Sequence, residues 1–298
     1  MEFRSMEFGC HLPVFGPGAT RTVVLEFARR MERLGYDSLW VSDHVVVPWT
    51  IAPRYPYKEG GEFPLPPSTP FLEPLTALAL VAGVTERIRL GTSVLVLPHR
   101  HPLLTAKMLA TLDAVAPGRV ILGAGVGWMQ EEIEALGVPY ARRGAWTDEA
   151  IAVMRALWRE ERAAFAGEFF RFGPLACEPK PARGAIPIWI GGHTEPALRR
   201  VARLGDGWHA AFPTPAAMAA GIDRLRTECE RARRDFTSLT LSARVGLPAR
   251  RPPDAMLRDL EQLRKLGVTH VVLESAMRDL DEMTATYERF ATDVRSRL

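Results

Sequence analysis

The strongest constraint on this chain is a repeating alternation of short, β-branched runs with longer amphipathic runs, about eight times from end to end. The runs expected as strands are 7–14, 38–44, 88–98, 119–125, 187–192, 207–212, 239–247 and 269–275. Between and after them, apolar residues recur at helical spacing over 22–35, 73–85, 102–116, 148–160, 195–205, 215–234, 254–267 and 281–296. Repeated strand-helix units build either a doubly wound sheet or a closed parallel barrel, and a count of eight favours the barrel. The predicted fold is therefore an α/β, (β/α)8 TIM barrel, with a Pro/Gly-rich insertion around 159–186. Leu-Gly pairs at 34–35, 204–205 and 266–267 each precede a strand, where glycine is expected in the left-handed helix C-cap conformation. Such turns belong to the non-catalytic face, so residues that do chemistry are sought at strand C-termini and in the loops after them.

A chain of 298 residues with 47% hydrophobic composition can bury a large core, and one domain over 1–298 is expected. The near repeat of MEF at 1 and 6 reads residues 1–5 as an appended expression scar, with Met6 the natural start. The net charge is only +3, from 38 basic and 35 acidic residues. Arginine runs at 199–234 sit in helical contexts, as solvated faces would. Neither nucleic acid nor a membrane is the expected partner. Cys10, Cys177 and Cys229 are odd in number and lack CxxC spacing, which encodes neither a disulfide framework nor a zinc site. With no apolar run long enough to span a bilayer and no apolar signal core, the expected location is the cytoplasm.

The stretch RVILGAGVGWMQEE (119–132) looks at first like a dinucleotide-binding turn. Gly123 and Gly125 fit the first and third glycines, but the sixth place is Trp128. No acidic residue closes a second strand about 20 residues on, so that reading fails. On a barrel rim the same glycines let a flat ligand or a phosphate approach the backbone. A second glycine pair, Gly191-Gly192, followed by His193, precedes a helix whose free N–H groups favour an anion.

Strand two ends in SDHVVVPW, which places Asp43 and His44 at the rim with Trp49 beyond. A histidine there is a candidate proton donor or acceptor, since imidazole changes charge near pH 6.5. The adjacent Asp43 either orients that imidazole or caps a turn. His11, at the end of strand one, is expected in the substrate pocket with Trp49. His99 and His101, in GTSVLVLPHRHP, lack a nearby third ligand and are expected to pack at the loop and helix entry; no metal is expected. Asp113 is expected to pair with or cap structure near Arg119, and Trp208 to pack in the core.

Taken together, GYDSLWVSDH, RIRLGTSVLVLPHRHPLLTAKMLATLDAVAPGRVILGAGVGW, EEIEALG and PIWIGGHTEPALRRVARLGDGW resemble the luciferase-like flavin and deazaflavin oxidoreductases. The matching pieces cover most of 35–208 in the family's order; after 212 the likeness is one of pattern only. The SDH segment is similar to branches that use the deazaflavin coenzyme F420, with FMN as the alternative cofactor. The resemblance implies His44 beside the reactive ring carbon as acid or base, Asp43 near the ring edge, and Trp49 as a wall to the substrate. It implies a bulge with a non-prolyl cis peptide at Ser93-Val94 behind the ring. It also implies that Gly125, Gly127, Trp128, Gly191, Gly192 and His193 contact the cofactor. Two departures from related sugar-phosphate dehydrogenases stand out: an extra residue between His44 and Pro48, which leaves the place of Trp49 open, and Trp128 in place of a glutamate, which implies a different substrate.

The expected activity is hydride transfer between deazaflavin C5 and a small organic substrate. The alternatives are an FMN monooxygenase supplied by a partner reductase, and a non-catalytic flavin-binding protein. Related barrels pair through helices two and three, which implies a homodimer.

Overall fold

The computed structural model of the chain describes residues 6–277 and 279–298; the expected scar at 1–5 lies outside the described residues. The strands are β1 (Glu7–His11), β2 (Ser38–Val41), β3 (Arg89–Thr92), β4 (Leu95–Val96), β5 (Val120–Gly125), β6 (Ala163–Ala166), β7 (Arg171–Leu175), β8 (Ile188–Gly191), β9 (Gly207–Ala211), β10 (Thr240–Leu247) and β11 (His270–Ser275). Around them run α1 (Arg21–Arg33), α2 (Pro74–Ala82), α3 (Pro102–Val115), α4 (Gln130–Ala135), α5 (Arg143–Arg159), α6 (Glu195–Leu204), α7 (Pro215–Arg231), α8 (Pro253–Lys265) and α9 (Leu280–Asp293). The main sheet runs β3-β2-β1-β11-β10-β9-β8-β5-β4, and the pairing of β3 with β5 closes it. Every pairing in that sheet is parallel. β3 and β4 are one expected strand, 88–98, interrupted at the cis peptide Ser93-Val94, so the ring has eight staves.

Local chemistry explains where the helices begin. Pro74, Pro102, Pro215 and Pro253 open α2, α3, α7 and α8 at a position whose N–H has no helical partner anyway. Two of the three Leu-Gly turns close as expected: Gly35 and Gly267 take φ of +71° and +90° after α1 and α8. Gly205 does not; it is extended at φ −86°, and a Cβ there would lie 3.0 Å from Ile190 and 3.1 Å from the Val201 carbonyl. That glycine serves close packing between helix and strand.

One apolar layer lies between the strands and the helix ring, with Phe27, Leu78, Leu109, Trp158, Val201 and Tyr287 among its buried members. A smaller cluster, Trp40, Ile121, Trp189 and Val272, fills the barrel interior. Trp40 stacks on His209 with ring centroids 5.1 Å apart. A polar ladder crosses the same interior, in which Ser93 Oγ and His209 Nε2 are 2.8 Å apart, and His209 Nδ1 and Ser242 Oγ 2.9 Å. It continues from Ser242 to His270 Nδ1 at 3.1 Å and from His270 Nε2 to Ser38 Oγ at 2.8 Å. Burial, then the nearby Arg244 charge, pushes His209 down to about 3, and burial pushes His270 down as well.

The insertion carries an antiparallel β6–β7 hairpin. Its turn is bound to α5, where Glu149 accepts the N–H groups of Glu168, Phe169 and Phe170. Asp113 caps local structure as expected, accepting from Gly118 N and Ala182 N. Among the described residues no helix is long and apolar enough to cross a membrane.

Candidate active site

The C-terminal ends of β1, β2, β3, β5, β8, β9 and β10 meet at one rim, where the closed ring brings distant residues together. His44 stands three residues after the end of β2, and its Nδ1 lies 2.7 Å from Oε2 of Glu132 on α4. Glu132 is fully buried, and its Oε1 accepts the N–H groups of Val45 at 2.7 Å and Val46 at 3.2 Å. A buried carboxylate is tolerable only when its lone pairs are used in this way. With Nδ1 engaged, Nε2 is the His44 nitrogen left to meet a substrate.

Asp43 has a different job from its neighbour. It accepts two bonds from Arg100, at 2.6 and 2.9 Å, and a third from Val96 N–H at 2.9 Å. Burial pushes its carboxyl up, but His99 and Arg100 outweigh that effect and hold it down at about 2. Asp43 thus caps and clamps the turn after β4, the second of its two sequence-based roles, and does not orient the imidazole; the carboxylate that does so is Glu132. His99 is also buried, its Nδ1 3.7 Å from Asp43 and its Nε2 3.6 Å from Glu132. Its Nδ1 makes no hydrogen bond among the described residues. Among these residues no group of His, Cys, Asp and Glu converges to hold a metal ion.

The peptide Ser93-Val94 is cis, at the position where the resemblance places it. Arg244 on β10 ties this bulge down. Its Nη1 donates to the Ser93 carbonyl at 2.8 Å and to Ser42 Oγ at 3.2 Å, while Nε and Nη2 hold Glu274 at 2.9 and 2.8 Å. His11, at the end of β1, joins the group through a 2.8 Å bond between its Nε2 and Ser42 Oγ.

The rim glycines act differently from the sequence expectation. A Cβ on Gly125 would lie 2.5 Å from one methyl of Val94, and a Cβ on Gly191 2.8 Å from the other. The space they leave is filled by Val94, so β5 and β8 grip the bulge. Gly127 and Gly192 meet another need, φ of +77° and +96° in the turns that follow. Gly192 and the exposed His193 lead into α6, whose N-cap Thr194 makes no side-chain cap bond. The free N–H groups of its first turn are those of Glu195 and Ala197, since Pro196 has none.

Above the rim the loop 45–72 folds as an aromatic cover. Phe63 and Phe71 stand 5.1 and 5.3 Å from the His44 ring, and Trp128 packs against Tyr55 at 5.1 Å and Phe63 at 5.5 Å. Trp49 is not part of this wall; it is 86% exposed. The chain there is pinned on both sides, at Val45 and Val46 by Glu132 and at Ala52 by Glu131, so the stretch between bows into solvent with Trp49 on it. Phe212, after β9, completes the mouth at φ +49°, held by its N–H bond to the Arg244 carbonyl and by the guanidinium 5.1 Å from its ring. A non-glycine residue in that conformation costs on the order of 1–2 kcal/mol and is typical of ligand-facing positions.

Sequence reasoning missed Glu132, His99, Arg100 and Arg244 as site residues. Glu132 lies 88 positions from His44, and only a folded ring shows that they touch. The EE that opens a helix one turn after the strand-five glycines was the signal available.

The profile described as luciferase-like monooxygenase matches residues 4–295. A phthiodiolone/phenolphthiodiolone dimycocerosates ketoreductase of Mycobacterium bovis is 33% identical over 237 residues, 77% of this chain and 62% of that protein. Among solved structures, an F420-dependent secondary alcohol dehydrogenase in complex with an F420-acetone adduct superposes with a TM-score of 0.79 at 18% identity, covering 97% of this chain and 98% of the other. The oxygenating constituent of 3,6-diketocamphane monooxygenase from Pseudomonas putida, in complex with FMN, gives a TM-score of 0.72 at 17% identity, with 99% of each chain covered.

Proposed function

The chain belongs to the luciferase-like monooxygenase family, and from that premise we propose that it is an F420-dependent oxidoreductase acting on a small, apolar alcohol or ketone. The observation that carries the reading is the His44–Glu132 contact of 2.7 Å at the rim. It fixes one imidazole nitrogen on a buried carboxylate and turns the other toward the aromatic mouth, as reversible proton transfer requires. The residues present suit a tricyclic cofactor with a phosphate: the N-terminus of α6 after Gly192 for the anion, and the Val94 bulge and Trp128 for the ring. Bound there, the deazaflavin would supply the hydride donor or acceptor at C5.

The protein's part is positioning and proton handling. In the oxidising direction, His44 Nε2 takes the hydroxyl proton of the alcohol as hydride leaves its carbon. Glu132 stabilises the imidazolium that results, and in the reducing direction the same imidazolium returns the proton to the developing alkoxide. Tyr55, Phe63, Trp128 and Phe212 exclude water and favour an apolar substrate, in line with the ketoreductase relative.

Titration of the purified protein with F420 and with FMN tests the cofactor. Tighter binding of F420, with turnover of secondary alcohols or ketones, is expected. A clear preference for FMN together with oxygen-dependent turnover would overturn the reading in favour of a monooxygenase fed by a reductase. Cofactor binding without turnover on a broad substrate panel would leave a binding protein. We also propose a homodimer formed through α2 and α3, where Leu80, Leu104 and Val115 are 53%, 57% and 66% exposed.

A further inference from the structure

His99 has no place in the mechanism above, yet it is among the most enclosed titratable groups at the rim. It sits between two carboxylates, 3.7 Å from Asp43 and 3.6 Å from Glu132. The charged groups that face it are Asp43 and His44 from the turn after β2, Glu132 from α4, and Arg100 from its own turn, with Glu73 on the far side of Arg100. Among the described residues Arg100 is paired with Asp43 and Glu73 and not with Glu132. Asp43 is balanced by the two-pronged Arg100. Glu132, with no exposure, has no arginine or lysine among its ion pairs with the described residues, only His44 and His99, and both imidazoles approach the same Oε2 atom. Its charge is met by the Val45 and Val46 N–H groups and by an imidazole N–H at Oε2, so a cation on either ring is stabilised at the same atom.

We propose that His44, Glu132 and His99 share one exchangeable proton and that His99 is its second holder, a positioning residue that sets the charge of His44. When His44 Nε2 gains a proton, its Nδ1 proton can pass to Glu132 Oε2, and the carboxyl proton can pass on to His99 Nε2 after a closing movement of under an ångström, with no other group changing charge. A cation on one ring draws on the Glu132 charge and disfavours a second on the other, so their titrations are coupled. The unshared Nδ1 of His99, aimed at the clamped Asp43, is then the place where the relayed charge is stabilised. This inference rests on the reading of His44 as the acid-base group, but its test does not.

The test uses the ligand-free full-length protein. The seven histidines are followed by long-range proton-nitrogen NMR of the imidazoles across pH, in the wild type and in H99Q and H44Q, which assign the two signals. The wild type is expected to bind one proton, not two, between about pH 8 and 5, divided over the two rings. In H99Q a whole proton should appear on His44 and in H44Q on His99, with at least one ring gaining about tenfold in proton affinity, one pH unit. Should H99Q fail to fold, H44Q reads the same coupling from the other side, because linkage is reciprocal. Two independent curves, each unmoved by loss of the other ring, would overturn the proposal. Coupled rings with a fully active H44A would keep the shared proton and remove the acid-base role of His44; uncoupled rings with an inactive H44A would do the reverse.

Discussion

Glu132 uses each carboxylate oxygen for a separate purpose, one for the His44 ring and one for the backbone of Val45 and Val46. Glu132→Gln keeps the shape and the acceptor oxygen but puts an amide against Nδ1, which reverses the imidazole's donor pattern. Turnover is expected to fall roughly 10²–10⁴-fold, as it should in His44→Ala, with cofactor affinity nearly unchanged in both; equal kcat in either variant and the wild type would remove that variant's residue from the chemistry. Asp43 gives a prediction of a different kind. Its carboxyl is held at about 2 in the folded protein against about 3.9 in an unfolded chain, so it adds stability, roughly 2–3 kcal/mol, that is complete above pH 4 and lost as pH falls through 2. Asp43→Asn should remove that acid-limb slope in denaturant titrations and also lower stability at pH 7 by about 2–3 kcal/mol, since the buried Arg100 keeps Glu73 but loses its two charged bonds to Asp43. The SDH segment shows His44 to a reader of the sequence because strand-end position and residue type suffice. What it hides is which carboxylate serves it: Asp43 is adjacent in sequence but turned to Arg100, and Glu132 arrives only when β2 and β5 are ordered in a ring.

At the level of elements, the alternation of apolar periods located every barrel strand and the helices over 22–35 to 281–296, most of them to within a few residues. It treated 88–98 as one continuous strand. No periodicity could show that the strand breaks at Ser93-Val94, because the cause lies across the sheet, where the backbone of β5 and β8 lacks Cβ atoms and Val94 fills the gap. Gly125→Ala should therefore lower the denaturation midpoint by the equivalent of about 1–3 kcal/mol through overpacking. Trimming the facing side chain in a Gly125→Ala/Val94→Ala double variant should recover part of that loss. If the two effects simply add, the side chains do not compete for the same space.

For the whole molecule, the barrel interior makes the fold sensitive to acid well before its carboxylates titrate. His209 is held near 3 inside the barrel, whereas an unfolded chain binds a proton on it near 6.5. The unfolded state thus takes up a proton that the native state refuses, and stability declines as pH falls from about 6.5 toward 3, by ~1.4 kcal/mol per pH unit once below 6.5. His270 acts in the same direction. Urea midpoints measured from pH 7 down to 5 are expected to drop steadily, and a flat profile would mean that the ladder is already charged or open to water. Assembly is checked by light scattering on eluting protein: a mass of two chains is expected for the wild type and of one chain for a Leu80→Glu/Leu104→Glu variant, whereas a monomeric wild type would dispose of the α2–α3 interface.

The grip of Glu132 on both the imidazole and the root of the aromatic cover has one more effect. The cover cannot swing out at Val45 without loosening the hold on the His44 ring, so an open mouth and a misaligned imidazole go together. Access to the rim and alignment of the imidazole are thereby governed by a single side chain.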